Sequence, residues 1–394
     1  MSQPIPNKIR EQHPEIEVPK VEYILLVDGN SLGETCFHGD KRTNSRGEHY
    51  GGIFQFFLQI KILLQKRDFS KVYLFFDGPD SGFRRWELYN PYKSNRDKSY
   101  HKSAGDSDYY KQMDEFCKKV INKKPKKEKT PEQLVQKEEF YRGLNIIKEF
   151  AQELFMRECT ANLVEGDDFI GYFVTKRKEN QKLVIVSSDM DLAQLIEPDG
   201  VAIYSPQKKL FLSSENFNKK IGYNYMNIKL LKQLCGDSSD CIKGISQLGT
   251  DTLFNIIPEL KTREVKIEEV IDRVKVLSEE RTIEKKKPLK VYENILNQTS
   301  NCVHDGNVFE INEKIINLRT PLLIESDIEE VESIMDSPID PEGRNLENLY
   351  KLVVKYGIDE LLDANKFANF FSTFNTLRDK EIKYYNKWIK ENNN

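Results

Sequence analysis

Three short apolar runs, each leading into an aspartate, constrain this chain more than any other feature. Tyr23-Ile24-Leu25-Leu26-Val27 leads into Asp28-Gly29, Val72-Tyr73-Leu74-Phe75-Phe76 into Asp77-Gly78, and Leu183-Val184-Ile185-Val186 into Ser187-Ser188-Asp189. Runs of this length without polar alternation suit strands buried on both faces. A helical pattern from Ile53 to Leu64 separates the first two, and helical patterns at 140–155 and 169–174 precede the third. Strands alternating with helices predict an α/β fold: a parallel sheet flanked by helices. Ligands of such sheets bind outside the carboxyl ends of the strands, so Asp28, Asp77 and Asp189 are expected to converge on one edge.

Further carboxylates extend the set. Asp191 follows Asp189 closely, Glu165-Gly166-Asp167-Asp168 opens a helix, and Gly236-Asp237-Ser238-Ser239-Asp240 follows an apolar helix. Any one of these is more often a helix cap or a turn former. Together at one edge they would repel each other strongly, and such a cluster persists only if cations neutralise it. The motifs themselves hold no histidine or cysteine, so the ligands are hard oxygens, which select Mg²⁺ or Mn²⁺ over zinc. Paired ions about 3.5–4 Å apart are a recurrent solution to phosphodiester hydrolysis and need no protein nucleophile.

After Asp77, cations interleave with rings: Phe83, Arg84, Arg85 and Trp86, then Tyr92, Lys93 and Arg96. That pattern grips single-stranded nucleic acid, cations on phosphate and rings on bases. An amphipathic helix with snorkelling cations fits the pattern equally well; the position, directly after a strand that carries a ligand, favours the first reading. Residues 97–130 are polar and lysine-rich and are expected to form a mobile, partly helical excursion, although by composition alone they read as a solvated loop.

The formal net charge is −3, which gives no overall attraction to a polyanion. The charge is segregated, with lysines crowded from Lys118 to Lys129 and carboxylates from Glu325 to Glu342. Six cysteines without a C-x-x-C pair point to reduced thiols and a cytoplasmic setting. Residues 1–20 are polar, hold four prolines and are expected to be a flexible tail rather than a signal peptide or membrane span. From Lys261 onward the pattern is helical, with amphipathic stretches at 346–354 and 361–371.

Taken in order, Asp28-Gly29-Asn30, Asp77-Gly78, Tyr92-Lys93-Ser94-Asn95-Arg96, Glu165-Gly166-Asp167-Asp168, Ser188-Asp189-Met190-Asp191 and Gly236-Asp237-Ser238-Ser239-Asp240 resemble the 5′-nuclease superfamily. That superfamily includes flap endonucleases and the 5′-nuclease domain of bacterial DNA polymerase I. The resemblance is strongest to bacteriophage members, including the phage ribonuclease H. It covers residues 21–260 and, more weakly, 290–375.

The resemblance implies a PIN-like core over 21–260, with a helical arch over about 80–130 and a helix-hairpin region over about 225–260, followed by a C-terminal helical region over 261–394. It implies a first metal site of Asp28, Asp77, Glu165 and Asp167, and a second of Asp168, Asp189, Asp191, Asp237 and Asp240. Lys93 and Arg96 would contact the scissile phosphate, and Tyr92 would stack on an unpaired base. Lys243, Gly244 and Gly249 lie where the family binds duplex backbone, although Gln247 replaces the first glycine of the usual turn and Thr250-Asp251 its lysine; a K⁺ site there is left open.

The implied activity is that of a structure-selective Mg²⁺-dependent 5′-nuclease using two ions, with Mn²⁺ as a substitute. It would cut DNA flaps or RNA-primed duplexes in phage replication or primer removal. It would act as a monomer in the host cytoplasm, with a single-strand-binding protein or sliding clamp as possible partners. Two rival readings are weighed. A PIN-type endoribonuclease would lack the Tyr92–Arg96 and Gly236–Asp240 blocks. A non-catalytic nucleic-acid-binding module would gain nothing from so many carboxylates.

Overall fold

The protein is described by a computed structural model that covers residues 21–96, 130–300, 302 and 304–392. The expected tail at 1–20 and the expected excursion, apart from Thr130, lie outside the described residues.

The three apolar runs are strands: β1 (Glu22–Asp28), β2 (Phe69–Asp77) and β4 (Gln181–Val186). With β3 (Arg157–Ala161), β5 (Val201–Ser205) and β6 (Leu210–Leu212) they form one sheet of order β3-β2-β1-β4-β5-β6. The sheet is parallel from β3 to β5, and β6 joins antiparallel at the edge. The expected parallel sheet flanked by helices is present, with β6 added antiparallel at its edge.

This order places the site. From β1 the chain builds outward through β2 and β3, then returns to the other side of β1 with β4. The crevice between the carboxyl ends of β1 and β4 is therefore a topological switch point, where doubly wound sheets bind ligands. The three strands that lead into an aspartate are neighbours in the middle of the sheet.

Alternate strand residues feed two cores, as the two-residue period of a strand requires. Leu25, Val27, Leu74, Phe76, Val184 and Val186 pack on one face, which is covered by α1 (Gly29–Gly39), α2 (Gly51–Lys66) and α4 (Pro131–Glu153). Ile24, Leu26, Tyr73, Phe75, Leu183 and Ile185 pack on the other, against α5 (Gly166–Thr175). Between β2 and α4 lies the short α3 (Phe83–Leu88). Gly29 is required by close approach: a Cβ there would stand 2.3 Å from the Phe76 ring. Helix α4 starts in a capping box, with Thr130 and Gln133 bonded reciprocally and Pro131 at the first position.

Among the described residues, no strand occurs after Lys261. The later helices share the cores of the sheet. Leu349, Val353, Phe367, Phe370, Phe371 and Leu377 belong to the first cluster, and Leu318 and Val331 to the second. A third cluster runs from Leu230 through Val308, across the expected boundary at 260. In the last helix, Asn375–Asn392, Glu381 forms a buried double hydrogen bond with Arg157 of β3. No described helix is long and apolar enough to cross a membrane.

Candidate active site

The strand ends bring the acids together. Asp28 caps α1: its Oδ1 accepts from Ser31 N at 2.9 Å and its Oδ2 from Ser187 Oγ at 2.7 Å, across the switch point. Asp77 Oδ1 accepts from Gly166 N at 2.9 Å, which ties the end of β2 to the start of α5. Asn30 Oδ1 accepts from Asp77 N at 3.0 Å. Asp167, in the first turn of α5, is near enough to Asp28, Asp189, Asp77 and Glu165 to feel all four charges.

Burial raises the carboxyl of Asp167 well above its usual range, and the charges of Asp28, Asp189 and Asp77 add to the effect. Burial likewise lifts Asp28 to about 7, against the Ser31 and Ser187 hydrogen bonds, with Asp77 and Asp189 pushing further. Among the described residues no lysine or arginine forms an ion pair with Asp28, Asp167 or Asp189.

The remaining acids are held by the protein's own cations. Lys93 Nζ donates to Glu165 Oε1 and stands 3.7 Å from Asp240 Oδ2. Arg96 donates to Asp240 Oδ1 at 2.8 Å. Burial opposes ionisation of Glu165, but Lys93 and Arg85 outweigh it and hold the carboxyl well below the usual range. Lys93 adopts φ 48°, uncommon for a non-glycine residue, and its amide donates to Asp240 O at 2.8 Å. The base of the expected arch is thus pinned to the loop that carries the last aspartates.

Lys232, in the last turn of α6 (Ile228–Cys235), donates to Asp191 Oδ1 and, at 2.5 Å, to Asp237 Oδ2. Asp191 is still lifted to about 7, because burial and the charge of Asp189 exceed what Lys232 offsets. Asp237 is lowered to about 2: burial opposes this, but Lys232 and the Ser239 hydrogen bonds prevail.

Several sequence expectations are corrected here. Asp168, expected as a metal ligand, is fully buried. Arg85 donates to both of its carboxylate oxygens, at 2.5 and 2.6 Å, and Asp168 Oδ2 also accepts from Glu165 N at 2.9 Å. Both of its oxygens are thus committed to protein donors. Arg85, expected on nucleic acid, is buried in that pair and in a 2.8 Å bond to Ile315 O. Tyr92, expected to stack on a base, has its ring buried and its hydroxyl donating to Glu165 Oε2 at 2.8 Å. Arg84 pairs with Asp327. Phe83 packs its ring against Trp86 with centroids 5.7 Å apart.

Beyond the aspartates, β7 (Gly236–Asp237) and β8 (Ile242–Lys243) form a two-stranded hairpin. A Cβ on Gly236 would stand 2.3 Å from Gly244 N, so both glycines serve the close approach of the two chains. Lys243 O accepts from Asn312 Nδ2 at 2.9 Å, and Gly249 caps the helix Thr250–Ile256. Gln247, standing where a glycine was expected, adopts φ 65°, so the left-handed turn is kept without the glycine.

A cavity of about 1640 Å³ lies over the acid edge. Asp28, Asp77, Glu165, Asp167, Asp189, Asp191 and Asp240 line it, together with Lys93, Arg96 and Lys232. Its other wall is α4, through Leu134, Lys137, Phe140, Tyr141 and Lys148. Leu134 and Tyr141 are about half exposed, a ring and an aliphatic group facing the carboxylates. Sequence reasoning missed this wall, and it missed Lys232, Ser187 and Asn30 as partners of the acids. Asn30 sat in a quoted motif, and the cation positions of α4 were visible only as the polar side of a helix.

As the side chains stand, no three His, Cys, Asp or Glu side chains among the described residues are gathered to hold an ion. The chemistry of the edge nonetheless fits a hard divalent cation. The donors are carboxylate oxygens, and Asp28, Asp167 and Asp189 crowd one another without a neutralising partner.

The family described as 5′–3′ exonuclease, N-terminal resolvase-like domain, matches residues 23–222. A 5′–3′ exonuclease of Mycoplasmopsis pulmonis is 24% identical over 245 residues, 62% of this chain and 69% of that protein. DNA polymerase I of Synechocystis is 24% identical over 273 residues, 65% of this chain but only 24% of the polymerase. Among solved structures, bacteriophage T5 5′-exonuclease with bound zinc has a TM-score of 0.54 at 17% identity, covering 86% of this chain and 99% of that one. The T5 D15 flap endonuclease, in a pseudo-enzyme–product complex with DNA and metal ions, has a TM-score of 0.53 at 18% identity, covering 86% and 98%. At these identities the structural likeness shows a shared fold.

Proposed function

The chain belongs to the 5′–3′ exonuclease family, and from that premise we propose that it is a structure-selective 5′-nuclease, cutting phosphodiester bonds near free 5′ ends of DNA flaps or RNA-primed duplexes with two Mg²⁺ ions. The observation that carries this reading is the crowding of Asp28, Asp77, Asp167 and Asp189 at the switch-point edge, inside a cavity whose facing wall carries lysines and an exposed tyrosine.

Asp28, Asp77, Glu165 and Asp167 would hold one ion, and Asp189, Asp191, Asp237 and Asp240 the other, with Mn²⁺ as a substitute. Bound there, such ions supply a nucleophile at neutral pH and stabilise the leaving oxygen. The remaining chemistry belongs to the chain. Lys93 and Arg96, at the cavity wall beside Glu165 and Asp240, stabilise charge that develops on the scissile phosphate. Tyr92 and Arg85 act as positioning residues: Tyr92 bonds Glu165, and Arg85 fixes Asp168, which in turn caps the Glu165 amide. Across the cavity, Tyr141 offers a face on which an unpaired base stacks, and Lys137 meets the backbone. Unpairing a terminal nucleotide costs a few kcal/mol, and stacking worth about 1–3 kcal/mol per base offsets part of it.

The test is cleavage of labelled 5′-flap DNA and of RNA-primed duplex, with Mg²⁺ and with EDTA, beside the Asp189→Asn/Asp191→Asn variant. Short 5′ products released by the wild type only, and only with Mg²⁺, are expected. Binding of either duplex without any cleavage would replace the nuclease reading with that of a binding module.

A further inference from the structure

Lys232 belongs to no motif, yet it occupies a central place among the acids. Its ammonium bridges Asp191, at the start of the 3-10 turn Asp191–Leu195 after β4, and Asp237, at the end of β7. The backbone of Asp191 and the carboxylate of Asp237 are also held by neighbours. Asp189 Oδ1 accepts from Asp191 N at 2.8 Å, which fixes the turn that carries Asp191. Asp237 Oδ1 accepts from Ser239 N at 2.8 Å and Ser239 Oγ at 2.6 Å, so its other oxygen is the one given to Lys232. The lysine side chain is only 25% exposed, and it points into the cavity rather than into solvent.

One ammonium drawing together two carboxylates from separate loops does what a divalent ion would do there, with half the charge. A lysine has donors and no acceptor, so it cannot itself be a ligand, and with Ser239 on Asp237 Oδ1 an ion at Asp237 competes for the oxygen given to Lys232 and repels the ammonium at close range. We propose that Lys232 is a built-in counter-ion for the second carboxylate group, and that an ion binds to Asp191 and Asp237 only by displacing it. The inference rests on the reading of this edge as a metal site. The lysine keeps the second group assembled and neutralised while no ion is bound, and it weakens that group's affinity by the fraction of molecules in which the bridge is closed. A bridge closed nine-tenths of the time weakens binding about tenfold.

The experiment is calorimetric titration of the full chain with Mn²⁺, without substrate, for the wild type, Lys232→Met and Lys232→Arg. Two classes of ion are expected in the wild type. In Lys232→Met the weaker class tightens about tenfold while the tighter class is unchanged, and Lys232→Arg keeps the wild-type profile. Two classes with unchanged affinities in Lys232→Met would overturn the inference while leaving the metal site intact. Absence of Mn²⁺ binding in all three proteins would remove the site and the inference with it. A second measurement needs no variant: amine acetylation of wild-type protein, mapped by mass spectrometry. Mn²⁺ should raise labelling of Lys232, and labelling that stays level or falls overturns the exchange.

Discussion

Ser187 and Asp28 are joined across the point where the chain changes sides in the sheet, Ser187 Oγ donating to Asp28 Oδ2 at 2.7 Å. The hydroxyl comes from the end of β4 and the carboxylate from the end of β1, so this bond orients an acid of one group from the strand that leads to the other. Outer partners of this kind typically change metal affinity or activity by about 10–100-fold. Ser187→Ala is therefore expected to weaken Mn²⁺ binding about tenfold, read by calorimetry. Asp28→Asn should lower cleavage by more than about a hundredfold under saturating Mg²⁺. Full cleavage by Asp28→Asn would remove it from the ligand set.

Lys93 offers a separation of turnover from affinity. Its ammonium is buried on Glu165 rather than spread over the surface where a duplex docks. Lys93→Ala should lower single-turnover cleavage about a hundredfold or more, with the dissociation constant for flap DNA within about threefold of wild type. The reverse pattern, intact turnover and lost affinity, would make Lys93 a phosphate clamp.

Arg85 and Asp168 form a buried pair in which neither partner is accessible to solvent. Removing one charge leaves the other buried and uncompensated, which costs about 3–5 kcal/mol. Arg85→Met should lower the urea midpoint accordingly, whereas loss of a surface nucleic-acid contact would leave the midpoint where it was and change only binding.

The acid edge makes a prediction about pH. Asp28 and Asp191 each have a folded value raised from 3.8 to about 7. Between those values the folded protein holds more protons than the unfolded chain, so stability without divalent ions falls as pH rises through that window. Mg²⁺ or Mn²⁺ should therefore raise the melting temperature more at pH 8 than at pH 5. Melts with EDTA and with Mg²⁺ across this range check the sign, and a larger rise at pH 5 would contradict the acid cluster as the ion's site.

What was legible in the sequence follows burial. Strands β1, β2 and β4 are buried on both faces, so they left unbroken apolar runs, and the aspartates at or beyond their ends were visible with them. Strand β3, Arg-Glu-Cys-Thr-Ala, alternates buried and half-buried positions and begins with a charge, so it does not read as a strand. That charge forms its ion pair with Glu381, 224 positions along the chain. Lys232 escaped in part for the same reason, since one of its two partners, Asp191, lies 41 positions away. The direction of a side chain was also out of reach. Asp168 shares a helical turn with Asp167, but Asp168 is bound by Arg85 of α3 while Asp167 lines the cavity. Tyr92 reads equally well as an exposed ring or as a buried hydroxyl donor until the position of Glu165 is known.

The Arg157–Glu381 pair also bears on timing. Strand β3 lies at the edge of the sheet next to β2, and its leading arginine is neutralised from the last described helix. During synthesis every strand of the sheet, and every acid of the cavity, is made well before residue 381. Through that interval the arginine lacks its partner and the flank of the sheet lacks its cover, the kind of exposed edge that invites misassembly in partly made chains. Sheet and acid edge are thus complete in sequence long before they are secured in space, and the late helix acts as the latch that ends the delay.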